Sequence, residues 1–183
     1  GTMGAGIAQI CAQAGWKTNL FDAFPEGLER GMARIDAFWD KGIARGKTTP
    51  EQKAEWGARL HAVGDLAEAV GNADMVIEAV PEIPDLKQSI FADLDRLAPA
   101  HAILGTNTSS LSIAGIAAAT SRPEQVIGMH FFNPVPIMKL LELVRHNSTS
   151  DATVVAAEAA GVAMGKTTIL VKDVPGFATS RLG

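Results

Sequence analysis

Short apolar runs alternate with longer amphipathic segments along the chain. Residues 74–80 and 102–106 are almost continuously apolar, which is typical of strands that are buried on both faces of a sheet. Between these runs, residues 85–97 repeat apolar positions at helical spacing, and Pro99 ends that segment. The alternation of strands and helices predicts an α/β fold with a doubly wound, mostly parallel sheet.

The same pattern predicts the remaining elements. Gly46 and Pro50 interrupt a long helical stretch, and Asp65, Ser112 and Ser150 each precede a helix that their side chains can cap. The other predicted strands are 17–22, 60–64, 125–130, 140–145 and 166–172. The other predicted helices cover the segment before Gly15, the stretch 25–59 with its two breaks, a segment after Asp65, residues 112–119 and residues 151–164, and Pro175 opens a further one.

A glycine-rich stretch, Gly1-Thr-Met-Gly-Ala-Gly6, leads into the first predicted helix, and the strand that follows ends in Asp22. This order of glycines, helix, strand and acid matches the second half of a Rossmann-type dinucleotide-binding unit. We expect the first strand and first glycine of that unit just upstream of Gly1. Glycine lets the backbone approach a pyrophosphate, and the helix N-terminus supplies N–H donors. The glycines alone would also suit a tight turn at the start of a helix.

Asp22 refines the cofactor prediction. Its carboxylate can accept hydrogen bonds from the hydroxyl groups of the adenosine ribose. The same charge would repel the 2′-phosphate that distinguishes NADP. The sequence therefore favours NAD over NADP.

His130 ends a predicted buried strand and is followed by Phe-Phe-Asn-Pro. Glu142 lies on the next strand candidate, close enough in sequence for the two strands to pair. A carboxylate on one imidazole nitrogen fixes the tautomer and raises the basicity of the other nitrogen. Such a histidine can remove a proton from an alcohol while hydride leaves its carbon. The other histidines lie at strand or loop edges with no matched acid nearby, and we expect structural roles for His61, His101 and His146.

Polar residues follow the carboxyl ends of predicted strands, where ligands bind in open α/β sheets. Ser109 could bind a substrate oxygen or the nicotinamide ribose, but loop serines usually serve in turns or as caps. Asn133 could hold the cofactor or a substrate amide, or could be a turn residue before Pro134. On physical grounds alone, we expect Glu82 and Lys87 to be surface charges.

Composition and charge narrow the function classes. The chain has 183 residues, enough for one domain with a sizeable core, and its 47% hydrophobic content is ordinary for a globular protein. A net charge of −4 argues against a nucleic-acid partner. The apolar runs are shorter than the ~20 residues that span a bilayer, so no membrane partner is expected.

The single cysteine, Cys11, suits a reducing cytoplasm. No Cys/His cluster has metal-ligand spacing, and no G-x-S-x-G motif occurs.

A small basic cluster lies near the break in the long helical stretch, and its members are Lys41, Arg45 and Lys47. We favour a solvated helix face for it, because charge clusters of this size usually are solvated. The alternative is a grip for an anionic part of a substrate.

Taken together, these motifs resemble the 3-hydroxyacyl-CoA dehydrogenases, including the 3-hydroxybutyryl-CoA group. The resemblance covers essentially the whole chain, and the His-Phe-Phe-Asn-Pro stretch is far more specific than the glycines. The segments that carry it are Gly1-Thr-Met-Gly-Ala-Gly-Ile-Ala8, Asn107-Thr-Ser-Ser110, His130-Phe-Phe-Asn-Pro134, Leu141-Glu142 and Pro175-Gly-Phe177.

The resemblance implies a role for each matching residue. The chain is similar to the N-terminal NAD-binding domain of such an enzyme, with His130 as the catalytic base and Glu142 as the residue that orients it. Ser109 matches a serine that contacts both substrate and cofactor. A basic residue that grips coenzyme A falls near Arg45 or Lys47. The cofactor residues fall on Gly1, Met3, Gly4, Asp22, Glu82, Lys87 and Asn133, which raises Glu82 and Lys87 above their physical interpretation as surface charges.

The chain departs from the family pattern in two respects. Ser180 stands where the family commonly has an active-site Asn, so the grip on the substrate oxygen is expected to differ there. Both ends look cut: we expect residues 1–174 to form a Rossmann-type domain without its first strand, and residues 175–183 to begin a C-terminal helical domain. In the family that domain closes over the acyl chain and forms the homodimer, so the fragment alone is expected to be inactive.

The sequence therefore predicts an NAD-dependent oxidoreductase of fatty acid metabolism that interconverts (S)-3-hydroxyacyl-CoA and 3-oxoacyl-CoA. One alternative is a dehydrogenase of free 3-hydroxy acids on a similar fold, which would use a lysine on a later helix. A second alternative is a non-catalytic NAD-binding protein. Ser180 favours that second alternative, whereas His130 and Glu142 argue against it.

Overall fold

The structure is a computed structural model, and it describes residues 1–174. The chain forms two compact units. The first comprises Gly1–Ala69 together with the short segment Asn133–Ile137, and the second comprises Val70–Phe132 and residues 138–174.

Helices and strands alternate through most of the described chain, as the apolar pattern predicts. A 3-10 turn at Pro123–Gln125 precedes the fifth strand. The helices are α1 Thr2–Gln13, α2 Pro25–Ala44, α3 Pro50–Arg59, α4 Leu66–Val70, α5 Pro84–Leu97, α6 Ile113–Ala117 and α7 Asp151–Ala163. The strands are β1 Thr18–Phe21, β2 Leu60–Val63, β3 Met75–Glu78, β4 Ile103–Thr106, β5 Val126–Phe131, β6 Leu140–Arg145 and β7 Thr167–Lys172.

In the first unit, β1 and β2 form a two-stranded parallel sheet in which Thr18 faces Leu60. Small residues on α1 allow close packing against the neighbouring helices and this sheet. The rings of Trp39 and Trp56 lie 5.7 Å apart at the edge of the same core. The buried core residues are Ala5, Ala8, Ala12, Leu20, Ile35, Trp39 and Leu60.

The ends of the helices follow local sequence signals. Gly15 has φ +101°, a left-handed conformation that glycine adopts at little cost, and it stops α1. Gly46, with φ +71°, plays the same part after α2. At the start of α3, Thr49 and Gln52 form a reciprocal capping box, and Pro50 occupies the first turn.

The second unit contains a five-stranded sheet in the order β3-β4-β5-β6-β7. Its strands are parallel except for β5 and β6, which pair antiparallel. Every residue of β5 is buried, and so are the four central residues of β6. The predicted mostly parallel α/β fold is therefore confirmed, and the antiparallel pair is its one exception among the described strands.

An ion pair between the buried Arg122 and the partly exposed Asp95 stabilises the second unit at a distance from the polar loops that follow its strands. The Arg122 guanidinium donates from Nε to Asp95 Oδ1 over 2.9 Å, and it also donates to the backbone carbonyls of residues 95, 98 and 99. Ser121 donates to the same carboxylate from its backbone N–H and its hydroxyl. This network anchors the segment before β5 to the end of α5.

Helix α6 is shorter than the predicted 112–119. The Ser112 side chain caps it as expected, by accepting from the Gly115 N–H at 3.1 Å. The helix ends at Ala117 because the N–H groups of Ala119 and Thr120 bond three residues back instead of four, and the Thr120 hydroxyl donates to the Ala117 carbonyl. Among the described residues, no helix combines the length and apolar character that crossing a membrane requires.

Candidate active site

The glycine-rich turn and the acid at the end of β1 lie side by side in the first unit. The backbone nitrogen of Gly1 is 3.6 Å from Asp22 Oδ2. Helix α1 starts directly after Gly1, with Met3 and Gly4 in its first turn, and that turn has no side-chain cap and no acidic residue. N–H groups at the start of a helix favour an anion. The arrangement suits a pyrophosphate on α1 with a ribose beside Asp22.

The Asp22 carboxylate is held by its own turn. Oδ1 accepts a hydrogen bond from the backbone N–H of Phe24 at 2.9 Å, and 22% of the side chain remains exposed. Gly27 on α2 leaves room for this carboxylate, because a Cβ there would lie 2.5 Å from Asp22 Oδ2. The carboxylate is therefore fixed in place and still accessible to a ligand.

Asn133 belongs to the same unit as the glycine turn. The segment Asn133–Ile137 packs on α1 so closely that a Cβ on Gly6 would lie 2.8 Å from the Cβ of Val135. The Asn133–Pro134 peptide bond is cis. Three predicted elements of the cofactor site, the glycine turn, Asp22 and Asn133, thus share one compact unit.

Arg45 and Lys47 lie just beyond the end of α2, and both are exposed. At this position the two side chains could equally well be solvated surface charges or bind an anionic part of a substrate. Their part in substrate binding stays a prediction.

In the second unit, His130 and Glu142 face each other directly across the antiparallel pair of β5 and β6. His130 Nδ1 lies 3.1 Å from Glu142 Oε1. Glu142 is completely buried, and His130 is 8% exposed. With the carboxylate on Nδ1, that nitrogen carries the hydrogen and Nε2 presents a lone pair. The Phe132 ring lies 4.5 Å from the imidazole, centre to centre, and covers it in part.

Ser109 is hydrogen-bonded to the carboxylate of Glu82. Glu82 Oε2 accepts three hydrogen bonds: from the Thr108 hydroxyl at 2.9 Å, the Ser109 N–H at 3.0 Å and the Ser109 hydroxyl at 3.1 Å. Partial burial raises the pKa of Glu82, but these hydrogen bonds and the charge of Lys87 outweigh it and hold the pKa below its ordinary value. Glu82 is therefore an ionised acceptor that fixes the loop after β4.

Lys87 is buried, with 1% of its surface exposed, so the interpretation of it as a surface charge is wrong. Its ammonium lies 2.6 Å from Glu78 Oε2 and 3.2 Å from Glu82 Oε1, and it donates to the Val80 carbonyl at 3.2 Å. A buried lysine needs a counter-charge, and Glu78 supplies it. Glu82, in contrast, keeps 38% of its side chain exposed, as a surface charge would.

Three polar residues that support these contacts were not identified from the sequence, namely Glu78, Thr106 and Asn107. Glu78 stands inside an apolar run, and a charge in such a position is the signal that could have identified it. Its Oε1 accepts from the Thr106 hydroxyl at 2.7 Å. Asn107 Oδ1 accepts from the Phe131 N–H at 2.9 Å, which ties the end of β4 to the end of β5 next to His130.

The other histidines differ from His130 in their surroundings. The expectation that none has an acid nearby is wrong for His101, whose Nε2 lies 2.8 Å from Asp74 Oδ1 on an exposed surface. The two residues are 27 positions apart, so sequence proximity did not reveal the pair. His146 is buried against the Pro123 carbonyl at 2.8 Å, as a structural histidine would be.

The second unit thus brings together two groups of predicted site residues. One is the pair His130 and Glu142, and the other is Ser109 with Glu82 and Lys87. Ser180 lies outside the described residues.

Comparison with known proteins identifies the same family that the motifs suggest. The family described as 3-hydroxyacyl-CoA dehydrogenase, NAD binding domain, matches residues 1–174. A Bacillus subtilis protein named "Probable 3-hydroxybutyryl-CoA dehydrogenase" is 43% identical over 182 residues, covering 100% of this chain and 63% of its own length. The 3-hydroxyadipyl-CoA dehydrogenase of Escherichia coli is 40% identical over 182 residues, covering 100% of this chain and 38% of its own length.

A solved structure agrees. The crystal structure of an (S)-3-hydroxybutyryl-CoA dehydrogenase from Ralstonia eutropha superposes with a TM-score of 0.96 at 42% identity, covering 100% of this chain and 64% of that one. The chain therefore spans less than two thirds of the length of these relatives. The predicted family, fold class and cofactor, NAD, are confirmed.

Proposed function

Because the chain belongs to the NAD-binding domain family of the 3-hydroxyacyl-CoA dehydrogenases, we propose that the protein containing it interconverts (S)-3-hydroxyacyl-CoA and 3-oxoacyl-CoA thioesters. The observation that carries the proposal is the buried contact of 3.1 Å between His130 Nδ1 and Glu142 Oε1. It supplies an oriented imidazole base at a strand end, as oxidation of an alcohol requires.

His130 takes the proton of the 3-hydroxyl group at Nε2. Glu142 stabilises the imidazolium that results, because a carboxylate in a buried site attracts the charge more strongly than it would in water. The hydride from C3 of the substrate would pass to NAD, which is the chemistry that the cofactor would supply. In the reverse direction, His130 returns its proton to the carbonyl oxygen.

Ser109 holds the substrate oxygen in this proposal. The one hydrogen of the 3-hydroxyl group points to His130 Nε2, so Ser109 must be the donor to the substrate oxygen. Its O–H donates to Glu82 at 3.1 Å, and rotation about the Cβ–Oγ bond would turn that O–H toward the substrate oxygen. In the reverse reaction, the same O–H would donate to the carbonyl oxygen. Asn107 and Thr108 keep the loop in place through their own hydrogen bonds.

The residues of the first unit fit NAD. The uncapped first turn of α1, with Gly1, Met3 and Gly4, suits the pyrophosphate, and the accessible Asp22 carboxylate suits the ribose hydroxyls. We further propose that Glu82, Lys87 and Asn133 contact the cofactor.

The remaining assignments rest on the family alone. We propose that Arg45 or Lys47 contacts coenzyme A and that Ser180 contacts the substrate. We also propose that residues 1–174 are the cofactor domain of a longer cytoplasmic homodimer whose helical domain begins at residue 175.

The test uses the full-length protein, NADH and two substrates, acetoacetyl-CoA and free acetoacetate. Following the absorbance of NADH, we expect oxidation with the thioester and none above background with the free acid. Equal rates would favour a dehydrogenase of free 3-hydroxy acids. Tight NADH binding without turnover of either substrate would favour a non-catalytic protein. NADPH in place of NADH is the matched control, and Asp22 predicts much slower oxidation with it.

A further inference from the structure

Glu78 is a buried carboxylate at the end of β3 to which the proposed reaction assigns no part. It is 5% exposed, and both of its oxygens are engaged. Oε1 accepts from the Thr106 hydroxyl at 2.7 Å, and Oε2 accepts from the Val80 N–H at 2.8 Å and from the Lys87 ammonium at 2.6 Å. The carboxylate is thus held on three sides by groups whose own positions are fixed by β3, β4 and α5.

Lys87 connects this buried carboxylate to an exposed one. An ammonium has three N–H donors. The described contacts give each of them an acceptor: Glu78 Oε2, the Val80 carbonyl and Glu82 Oε1. The distance to Glu78 is 2.6 Å and the distance to Glu82 is 3.2 Å, so Glu78 is the closer partner. The buried carboxylate of Glu78 is therefore the main group that fixes the position of the Lys87 ammonium.

Glu82 connects the Lys87 ammonium to the loop after β4. Its Oε1 faces Lys87, while its Oε2 accepts the hydrogen bonds of Thr108 and Ser109. A carboxylate held at one oxygen by an ammonium and at the other by three donors has little freedom to rotate. Two ion pairs and a hydrogen bond thus connect Glu78 through Lys87 and Glu82 to Ser109.

We infer that Glu78 is a positioning residue for the cofactor site: it fixes the Lys87 ammonium and, through it, the Glu82 carboxylate. The inference rests on the proposed function, in which Lys87 and Glu82 contact NAD. Stability alone is a poor explanation for the pair, because a buried ion pair usually gains little over apolar side chains of the same volume. The pair instead fixes geometry, since both oxygens of Glu78 and all three N–H groups of Lys87 have partners in this arrangement.

The test compares Glu78→Gln with the parent in the full-length protein. The substitution keeps the shape of the side chain but removes the charge that anchors Lys87. We expect the NADH dissociation constant, measured by fluorescence, to rise about tenfold, with a smaller change in the KM for acetoacetyl-CoA at saturating NADH. Asp95→Asn is the matched control. It breaks the ion pair with the buried Arg122, and it should lower Tm while the dissociation constant stays within about twofold of the parent.

A double variant tests the path itself. If Glu78 acts through Lys87, adding Glu78→Gln to Lys87→Met should change the NADH dissociation constant by less than about twofold, because the partner is already gone. A further tenfold rise would mean that Glu78 acts independently of Lys87, and it would overturn the inference. Should Glu78→Gln fail to fold, Glu78→Asp takes its place. The aspartate keeps the negative charge, but its side chain is one methylene shorter, so the carboxylate lies farther from the Lys87 ammonium. A rise of at least about threefold is expected, and an unchanged constant overturns the inference.

Failure of the proposed function and failure of the positioning role give different results. If the parent protein neither binds NADH nor reduces acetoacetyl-CoA, the proposed function fails, and the inference about Glu78 fails with it. If the parent is active but Glu78→Gln behaves like Asp95→Asn, with a lower Tm and an unchanged dissociation constant, only the positioning role is wrong.

Discussion

His130 and Glu142 occupy directly paired positions on antiparallel strands, with Nδ1 of the imidazole 3.1 Å from Oε1 of the carboxylate. Directly opposed residues of an antiparallel pair project to the same face of the sheet. A strand register therefore creates the contact, and the complete burial of Glu142 strengthens it.

Replacing Glu142 tests the orienting role. Glu142→Gln keeps an acceptor near His130 Nδ1 but removes the charge that stabilises the imidazolium. We expect kcat to fall by about 10²- to 10⁴-fold, with the NADH dissociation constant nearly unchanged. Steady-state kinetics and NADH fluorescence on the same preparation measure both quantities. A drop of less than about threefold in kcat would show that the carboxylate does not assist the base.

Replacing His130 tests the base. A glutamine at position 130 can still donate to Glu142, so the buried carboxylate keeps a partner and the fold should survive. We expect His130→Gln to reduce turnover by about 10⁴-fold while the affinity for NAD stays near that of the parent. Equal losses of turnover and of NAD affinity would contradict the assigned role.

Gly128 tests how tightly the sheet is packed beneath the site. A Cβ on Gly128 would lie 2.7 Å from the Cβ of Val144 and 3.0 Å from the Cδ1 of Ile113. Gly128→Ala should lower the free energy of unfolding by about 1–3 kcal/mol, as measured by denaturant unfolding. Gly57→Ala is the matched control, because Gly57 is exposed on α3 and a Cβ there would meet nothing within 4 Å. That change should raise the free energy of unfolding by about 0.5–1 kcal/mol.

Asp95 predicts a dependence of stability on pH. Burial raises its pKa, but hydrogen bonds from Ser121 and Arg122 outweigh this and hold the pKa below its ordinary value. The folded state then binds fewer protons than the unfolded state. The stabilisation is therefore complete above the unfolded pKa of about 3.9, and it is lost as the pH falls through the folded pKa.

Asp95→Asn measures this contribution. At pH 7 we expect the variant to be less stable than the parent by about 3 kcal/mol, since it leaves Arg122 buried without its carboxylate. The difference should shrink as the pH falls below about 4, because the parent then loses the same interaction. Denaturant unfolding between neutral and acidic pH checks this. A difference that stays constant over the whole range would contradict the assignment.

Cys11 should be unreactive in the folded protein. Burial raises the pKa of its thiol to about 12. Since the thiolate is the reactive form, the reaction with an aromatic disulfide at pH 8 should be on the order of a thousandfold slower than in the unfolded chain. The rate with and without denaturant measures the ratio. Similar rates in both conditions would show that the thiol is accessible and ionises normally.

Local patterns predicted most of the fold. The apolar runs located the strands, and glycines such as Gly15 marked the helix ends, because backbone conformation there depends on one residue. The boundary of α6 was missed, since it depends on which carbonyls the last N–H groups select. The burial of Lys87 was missed for a related reason: its counter-charge, Glu78, lies nine positions away, on a different element.

For this protein, the sequence by itself determined the order of strands and helices, the glycine turn with Asp22, and the candidate base His130 with its acid. These features depend on residue types at short spacing. Tertiary structure alone decided which polar and charged groups of different elements come into contact. The contacts Lys87–Glu78, Glu82–Ser109 and His101–Asp74 join separate elements, and only the packing of those elements fixes the distances on which the electrostatic energy depends.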